Sequence, residues 1–363
     1  MSLSLVGFGT ALPEHEMDQA ELAELSATFF RMDAARVRTL RALYRRSGVS
    51  TRRSVILESA AGPLDTRQSF FPPASDENDL GPATAERMRV YEEAAPKLAA
   101  MAARRALEDA DVDPSSVTHL ITVSCTGFTA PGVDAALISE LGLPRTTERT
   151  NVGFMGCHGA LNGLRVARSF MDADASHVPL VCAVELCTLH FGYGWDRDML
   201  VANALFADGA AAVVGGCSNG SHDAWNLIGT GTLLMPDSEK DMSWRIGDHG
   251  FRMTLSARVP ALIEANLLGW LSDWLAGFDL TVGDVESWAI HPGGPRILSS
   301  VEQALGLSRE DTSVSRQVLS EFGNMSSATI LFILQRLRSQ GAPRPCVALA
   351  FGPGLVVEAL LIR

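Results

Sequence analysis

Residues 153–160 read GFMGCHGA, and the rest of the chain can be interpreted outward from this stretch. An apolar, strand-like run ends at Gly156, and the residues after Cys157 carry apolar side chains at helical spacing, at Leu161 and Leu164. A thiol at such a strand-to-helix turn lies at a helix N-terminus, where free N–H groups and the helix dipole favour the thiolate. Cys157 is therefore a candidate nucleophile, with an inert buried cysteine as the alternative.

Apolar strand-like runs alternate with helical patterns along the whole chain, which is typical of a layered α/β fold. Several runs are continuously apolar, as expected of strands that are covered on both faces. The predicted strands are residues 119–124, 151–155, 178–184, 210–215, 286–290, 346–351 and 355–361. The predicted helices are residues 93–111, 158–172, 259–275, 298–305 and 326–339.

Two other segments contain a histidine and an asparagine that are candidate catalytic residues. Residues 289–294 read AIHPGG, so His291 ends a strand-like run and is followed by a loop without bulky side chains. It can reach a cleft, pair with Cys157 and donate to a carbonyl oxygen; a loop histidine that caps a backbone carbonyl is the alternative. Residues 322–327 read FGNMSS, where Asn324 is either an amide donor of an oxyanion hole or a helix N-cap.

Composition excludes several classes of protein. Apolar residues make up 47% and charged residues 20% of the 363 positions, as in globular enzymes, and the net charge of −12 argues against a nucleic-acid groove. No uncharged apolar run approaches the length of a membrane span, and no secretory signal is recognised at the N-terminus. The six cysteines show no CxxC spacing. We therefore expect reduced thiols in a cytoplasmic protein and no metal site.

The length fits two domains or one large two-part domain. The polar stretch at residues 218–225, SNGSHDAW, lies near the midpoint and is the best candidate junction. We expect an N-terminal half, residues 1–220, that carries the cysteine, and a C-terminal half, residues 221–363, that carries the histidine and the asparagine. Residues 60–82, with a Phe-Pro-Pro sequence and an acidic cluster, predict a surface loop.

Taken together, these segments closely resemble the type III polyketide synthases, the chalcone-synthase-like branch of the thiolase superfamily. The similarity extends from SGVSTR at 47–52 through TGFTAPGVD at 126–134, the cysteine segment, LFADG at 205–209, HPGG at 291–294 and GNMSS at 323–327 to FGPGL at 351–355. The ketoacyl-carrier-protein synthases of class III also use Cys, His and Asn, but their flanking residues differ. The resemblance implies a thiolase-like, five-layered αβαβα fold built from two similar halves, and a homodimer.

The resemblance also implies a mechanism without metal, cofactor or carrier protein, in which coenzyme A thioesters are the substrates. Cys157 takes an acyl group from acyl-CoA. Malonyl-CoA then loses carbon dioxide, and His291 and Asn324 hold the oxygen of the resulting enolate. Three arginines, Arg46, Arg52 and Arg53, are candidate cations for the CoA phosphates, and an ordinary solvated basic face is the alternative.

By the same resemblance, Phe206 is the gatekeeping aromatic of a substrate cavity. Met253 replaces a second gatekeeping phenylalanine of plant enzymes, Trp244 stands where chalcone synthases have glycine, and Ala130 replaces a methionine that reaches the partner subunit. The other expected cavity residues are Cys125, Cys187, His190 and Ser326. These departures indicate a bacterial-type enzyme.

A fatty acyl-CoA starter that gives alkylpyrones or alkylresorcinols is the first functional hypothesis. The alternatives are a malonyl-CoA-only, tetrahydroxynaphthalene-type synthase, a ketoacyl-carrier-protein synthase III-like enzyme, and a catalytically idle binding protein of the thiolase fold.

Overall fold

The computed structural model describes residues 3–29, 34–217 and 224–363. The strands are β1 (Leu3–Ala11), β2 (Glu16–Asp18), β3 (Thr51–Arg53), β4 (His119–Ser124), β5 (Glu148–Gly153), β6 (Pro179–Leu186), β7 (Asp208–Cys217), β8 (Asn226–Leu234), β9 (Met242–Gly247), β10 (Gly250–Leu255), β11 (Ser287–Ile290), β12 (Cys346–Gly352) and β13 (Val356–Ile362). The helices are α1 (Gln19–Phe29), α2 (Ala34–Arg46), α3 (Thr84–Ala110), α4 (Val133–Leu141), α5 (Gly159–Ala173), α6 (Arg197–Leu205), α7 (Val259–Ala276), α8 (Pro295–Leu305), α9 (Ser313–Phe322) and α10 (Ser327–Ser339).

Nine strands form one sheet in the order β11-β12-β13-β8-β1-β7-β6-β4-β5. A short antiparallel pairing of β1 with β8 joins a five-stranded part, which ends at β5, to a four-stranded part, which ends at β11. Strands β9 and β10 form a separate two-stranded hairpin, and β2 pairs only with β3.

Helices cover both faces of each part of the sheet. Helix α3 packs on β1, β6 and β7 on the outer side of the five-stranded part, and α7 and α8 share a buried apolar core with β11, β12 and β13 on the outer side of the other. Helices α5 and α10 lie between the two parts. The resulting order of helix, sheet, helix, sheet, helix confirms the predicted thiolase-like αβαβα fold.

Most of the predicted interior strands and helices are present in the structure, but some of their ends differ from the predicted ones. Helix α3 begins at Thr84, nine positions before the predicted start, because the Glu86 carboxylate accepts a hydrogen bond from the Ala83 backbone N–H at 2.7 Å and caps the first turn. Strand β5 ends at Gly153 because Phe154 has a positive φ of 60°. The candidate junction at residues 218–225 falls largely outside the described residues. Within the described residues, no helix is both long and apolar enough to cross a bilayer.

Two glycines in β1 set how closely α3 approaches the sheet. A Cβ atom at Gly9 would lie 2.1 Å from the carbonyl oxygen of Ala102 and 2.3 Å from the backbone nitrogen of Ala106, and Gly7 meets the next turn in the same way. Only a residue without a side chain allows helix backbone to rest directly on the strand. This contact holds the N-terminal strand against the longest helix.

We predict that Gly9→Ala destabilises the protein by about 1–3 kcal/mol, because the added methyl group must displace α3. Gly269→Ala is the matched control, since Gly269 lies within α7 and has no atom within 4 Å of its missing Cβ. That substitution should be neutral or stabilising by up to about 1 kcal/mol through helix propensity. Thermal unfolding of the two variants checks this, and equal melting temperatures would contradict the close contact.

Candidate active site

Cys157 lies in a single 3-10 turn, Gly156–His158, directly before α5. Gly156 has a φ of +69°, and a Cβ there would come within 2.4 Å of Cδ of Pro353 in the turn between β12 and β13. The glycine therefore permits the C-terminal part to close over the cysteine. Cys157 itself is partly exposed.

Ser326 connects Cys157 to a second thiol. Its hydroxyl donates to the Cys157 sulfur at 3.6 Å, and the same oxygen lies 3.2 Å from the sulfur of the buried Cys125. Ser326 has a positive φ of 46°, which is rare for a residue with a side chain and marks local strain. The strained backbone at the start of α10 thus turns this hydroxyl toward the cysteine.

The backbone of Asn324 is hydrogen-bonded to residues 205–207, on both sides of Phe206. The N-cap residue of α10 is Ser326. Its backbone N–H donates to the Leu205 carbonyl at 2.8 Å, and its own carbonyl accepts from the Ala207 N–H at 2.9 Å. The side-chain oxygen accepts from the Ser326 N–H, and the side chain interacts with the Cys157 sulfur. Asn324 thus lies two residues before the N-cap of α10, and its side chain reaches both the first turn of that helix and the Cys157 sulfur.

The glycine before Asn324 is required by packing. Gly323 has a φ of +73°, and a Cβ there would meet Cβ of Ala207 at 2.9 Å and the side chain of Arg52 at 3.0 Å. The absence of a side chain at Gly323 thus allows this turn to pack directly against Ala207 and Arg52.

His291 follows β11 and is 1% exposed. Its backbone N–H donates to the Leu349 carbonyl at 2.8 Å, but neither ring nitrogen has a hydrogen-bond partner among the described residues. Its ring lies close enough to His158, the residue after Cys157, for charge on the His158 imidazole to lower the pKa of His291. A buried imidazole with two unsatisfied nitrogens is unusual unless a ligand or water supplies partners.

Burial acts against charge on both candidate catalytic groups. It raises the pKa of the Cys157 thiol to about 11, against smaller opposing effects of Ser326 and Asn324, and it lowers the pKa of His291 to about 3. Both shifts favour the neutral forms of these groups, and burial opposes the thiolate that the helix end at Cys157 is predicted to favour.

His190 shows how a satisfied histidine differs from His291. Its Nε2 lies 2.7 Å from the Thr126 carbonyl, its Nδ1 accepts from the Phe251 N–H at 3.0 Å, and its ring stacks on Phe251 at 4.1 Å. Burial lowers its pKa to about 3. Both ring nitrogens of His190 therefore have partners within the protein, unlike those of His291.

Trp244 lies beside this histidine, opposite Met253 in the β9–β10 hairpin. Its indole N–H donates to the Cys125 carbonyl at 2.8 Å, and its ring centre is 6.1 Å from that of Phe206. The indole N–H of Trp244 therefore contacts the backbone of Cys125, and the same side chain lines a chamber.

The chamber has a volume of about 340 Å³. Cys187, His190, Arg52 and Arg252 contribute polar atoms to its wall. Most of the wall is apolar or aromatic and comes from Leu25, Phe29, Leu57, Phe71, Phe191, Tyr193, Phe206, Trp244 and Met253. Of the residues that the structure describes, Cys157, His291 and Asn324 are not in this wall, whereas Phe206 and Trp244 are in it and their segments contact those of Asn324 and Cys125.

The three candidate CoA arginines have different environments. Arg52 is buried, and its guanidinium donates to the carbonyls of Asn203 and Phe206, so the assignment of this residue as a surface cation is wrong. Arg53 pairs with the Glu16 carboxylate at 2.7 Å. Arg46 is exposed at the end of α2. Arg252, which the sequence interpretation did not identify, is an exposed cation in the chamber wall.

A buried carboxylate also escaped the sequence interpretation. Glu185 is the last residue but one of the apolar strand β6 and accepts hydrogen bonds from the Cys125 N–H at 3.0 Å, from the Thr126 hydroxyl at 2.7 Å and from the Ser327 hydroxyl. Burial raises the pKa of Glu185, and these donors oppose the shift. A glutamate within the apolar run VCAVEL was the signal that could have identified it.

Known proteins share this architecture over the whole chain. The family model for the N-terminal domain of chalcone and stilbene synthases matches residues 2–219, and the model for their C-terminal domain matches residues 227–363. The alpha-pyrone synthesis polyketide synthase-like Pks18 of Mycobacterium tuberculosis is 32% identical, over 98% of this chain and 89% of that protein. The 1,3,6,8-tetrahydroxynaphthalene synthase of Streptomyces peucetius subsp. caesius is 34% identical, over 99% and 93%.

Solved structures of polyketide synthases superpose on the whole chain. PKS-I from the brown alga Ectocarpus siliculosus superposes with a TM-score of 0.93 at 29% identity, covering 100% of this chain and 99% of that chain. A type III pentaketide synthase from Neurospora crassa superposes with a TM-score of 0.85 at 29% identity, covering 100% of both chains. The chain therefore belongs to the chalcone and stilbene synthase family, the type III polyketide synthases, and is an acyltransferase that condenses acyl-CoA and malonyl-CoA units.

Proposed function

We propose that this synthase loads a fatty acyl group from acyl-CoA onto Cys157 and extends it with malonyl-CoA to an alkylpyrone- or alkylresorcinol-type product. The observation that carries the assignment of the site is the His291 imidazole, buried with both nitrogens free near the cysteine turn. Leaving such a group unpaired costs about 1–3 kcal/mol, which a substrate carbonyl or enolate would recover.

In the loading step, the Cys157 sulfur attacks the acyl-CoA carbonyl, the bond from that carbonyl to the CoA sulfur breaks, and the thiol proton leaves with CoA. Malonyl-CoA then loses carbon dioxide, and its electron pair forms a thioester enolate. His291 and Asn324 donate to the enolate oxygen. The enolate carbon attacks the Cys157 thioester, which releases the cysteine and gives a β-ketoacyl-CoA that can load again.

The chamber supports an alkyl starter. Its wall is mainly apolar and aromatic, and its volume falls in the range of about 300–1,000 Å³ that is usual for ligand pockets. Trp244 fills space on the thiol side, so a rigid, bulky starter would meet the indole. A flexible alkyl chain can follow the bend at Phe206 and Met253 into the chamber. We infer that Cys125, Cys187, His190 and Ser326 complete the substrate walls.

Two other enzyme hypotheses remain testable. A malonyl-CoA-only, tetrahydroxynaphthalene-type reaction is supported by the relative of that name, and a ketoacyl-carrier-protein synthase III-like reaction by the shared Cys, His and Asn types. Turnover with malonyl-CoA alone, without carrier protein, supports the first of these. An absolute requirement for a carrier supports the second.

We also propose a homodimer that forms through β5. This strand is the outer edge of the sheet, and Phe128 and Met155 beside it are 47% and 37% exposed. An unpaired edge with exposed apolar neighbours is a typical contact for a second copy. Arg46 is our proposed cation for the CoA phosphates.

We further propose a cytoplasmic location, which agrees with six free cysteines. The two similar halves proposed at residues 1–220 and 221–363 would each contribute catalytic groups, the cysteine from the first and the histidine and asparagine from the second.

Mass spectrometry of the products from a panel of starters tests the proposed reaction. Acyl-CoA thioesters of different chain length, one aromatic CoA thioester and malonyl-CoA alone are each incubated with malonyl-CoA and enzyme. We expect alkyl-substituted pyrones or resorcinols whose mass increases with the starter. Preference for the aromatic starter, or one identical product in every reaction, would contradict the fatty acyl proposal.

Cys157→Ala should abolish condensation, because no acyl thioester can form, yet leave measurable malonyl-CoA decarboxylation, because His291 and Asn324 remain. Asn324→Ala should show the opposite pattern, with loading retained and decarboxylation reduced by about 10²–10³-fold. Release of labelled carbon dioxide and intact-protein mass spectrometry measure the two steps separately. Acylation of the Cys157→Ala protein at wild-type extent would refute the assignment.

The pH dependence of alkylation tests the resting charge state. With the pKa of Cys157 raised to about 11, the reactive thiolate is a minor form at neutral pH. The rate of inactivation by iodoacetamide should therefore rise continuously from pH 6 to pH 9, with overlapping profiles for the wild type and His291→Ala. A wild-type plateau below pH 8 that the mutant lacks would instead reveal a thiolate–imidazolium pair.

Trp244→Ala should enlarge the space on the thiol side and admit bulkier starters or change the number of malonyl units added. Burying an indole occupies roughly 200 Å² of surface, so its removal is a large change at this wall. Trp270→Ala, on α7, is the control for loss of a tryptophan elsewhere. If both variants keep wild-type starter preference and product length, Trp244 is only a packing residue.

A further inference from the structure

The last carbonyl groups of α6 are hydrogen-bonded by distant segments of the chain. The Asn203 carbonyl accepts from the Arg52 guanidinium at 2.8 Å, and the Ala204 carbonyl accepts from the Gln19 side-chain amide at 2.7 Å. Carbonyls at a helix end have no partner within the helix and need one from elsewhere when they are buried. The end of α6, and with it the position of Phe206 directly after the helix, is therefore set by tertiary contacts.

Arg52 extends this contact across the helix end to Phe206 itself. The Nη1 atom that binds the Asn203 carbonyl also donates to the Phe206 carbonyl at 2.6 Å. Arg52 is 6% exposed, and within the described residues no carboxylate forms an ion pair with it. The partial negative charge at the C-terminus of α6 compensates the buried guanidinium in place of an acid. The cation therefore stabilises the helix end and restrains the Phe206 backbone.

The backbone that Arg52 restrains is also the backbone that binds Asn324. Phe206 and Asn324 form an isolated parallel bridge, and the Asn324 N–H and carbonyl are hydrogen-bonded on both sides of Phe206. The aliphatic part of Arg52 packs beside the same bridge, because a Cβ at Gly323 would lie 3.0 Å from Cγ and Cδ of Arg52. One side chain thus contacts both segments of the bridge.

Arginine suits this position better than lysine does. Its planar, rigid guanidinium binds two carbonyls at once, and its charge remains when it is buried. A lysine ammonium carries the same charge on a flexible chain, so it would hold the two carbonyls less firmly. Any loosening here would reach Asn324 through the bridge.

We propose that Arg52 is a positioning residue for decarboxylation: it fixes the Phe206 backbone and thereby holds the Asn324 amide where it donates to the enolate oxygen. The inference rests on the proposed function, since it takes Asn324 as a donor to the enolate. Decarboxylation of malonyl-CoA forms that enolate, whereas loading of Cys157 does not. Loss of the Arg52 contacts should therefore impair decarboxylation more than loading.

The test measures both steps in variants of Arg52. Release of labelled carbon dioxide from malonyl-CoA alone gives the rate of decarboxylation, and intact-protein mass spectrometry with octanoyl-CoA gives the rate of acylation. The variants are Arg52→Lys and Arg52→Gln, and thermal unfolding shows that each is folded. Arg52→Gln keeps an amide donor without the charge, so it serves if the lysine variant does not fold.

Arg87→Lys is the matched control for the loss of a buried arginine. Arg87 is 0% exposed, and its Nη1 donates to the carbonyls of Leu189 and Phe191 at 2.6 and 2.8 Å. These carbonyls belong to a different segment from Phe206 and Asn324. The control should lose stability, yet its ratio of decarboxylation to acylation should stay within about twofold of the wild-type ratio.

We expect the ratio of decarboxylation to acylation to fall about tenfold or more in Arg52→Lys, because a catalytic group displaced by about 1 Å can cost about 10²-fold in rate. A role that acts through Asn324 also predicts non-additivity. Once Asn324 is replaced by alanine, Arg52→Lys should change the release of carbon dioxide by less than about twofold.

Equal losses in both steps, or a second tenfold loss of carbon dioxide release in the Asn324→Ala background, would show that Arg52 supports only the fold and would overturn the inference. Wild-type ratios in the folded Arg52 variants would overturn it as well. Wild-type release of carbon dioxide by the single variant Asn324→Ala is a separate outcome, which would reject the proposed function and the inference with it.

Discussion

The site depends on one buried carboxylate. Glu185 accepts hydrogen bonds from the end of β4, through the Cys125 N–H and the Thr126 hydroxyl, and from the start of α10, through Ser327. A buried acceptor of this kind is stable only while its donors stay in place, and each donor would be costly to leave unsatisfied. The carboxylate therefore fixes Cys125 and the strained Ser326 around the Cys157 sulfur. Helix α10, which lies between the two parts of the sheet, meets the ends of β4 and β6 at this cluster, so the packing of the helix and the geometry of the site share one constraint.

Burial explains why the site favours neutral groups. Apolar residues pack around α5 and α10, and burial moves the pKa values of the cysteine and the histidine away from their charged forms. We infer that a substrate carbonyl would accept the hydrogen bond for which the His291 ring has no partner among the described residues. Phe206 and Trp244 line the chamber, whose described wall does not include Cys157, His291 or Asn324.

Local pattern in the sequence was enough to predict the layered fold and the strand-to-helix turn at Cys157. Periodicity identified the interior strands and α5, α7, α8 and α10, because buried elements impose strict spacing. The sequence could not show that Arg52 is buried, since its carbonyl partners Asn203 and Phe206 lie about 150 positions away. It also could not foresee the pKa of Cys157, which depends on packing from several distant segments. The hydrogen-bond donors of Glu185 also come from distant segments, although its place in an apolar run was a local signal.

The central claim is that Cys157 carries the acyl chain. The most direct measurement is peptide mapping by mass spectrometry after the wild-type enzyme reacts with octanoyl-CoA and is quenched in acid. The account predicts one octanoyl group, located on the peptide that contains Cys157, and its removal when malonyl-CoA is added before the quench. An octanoyl group found only on the peptide of Cys125, or one that malonyl-CoA does not remove, would contradict the account.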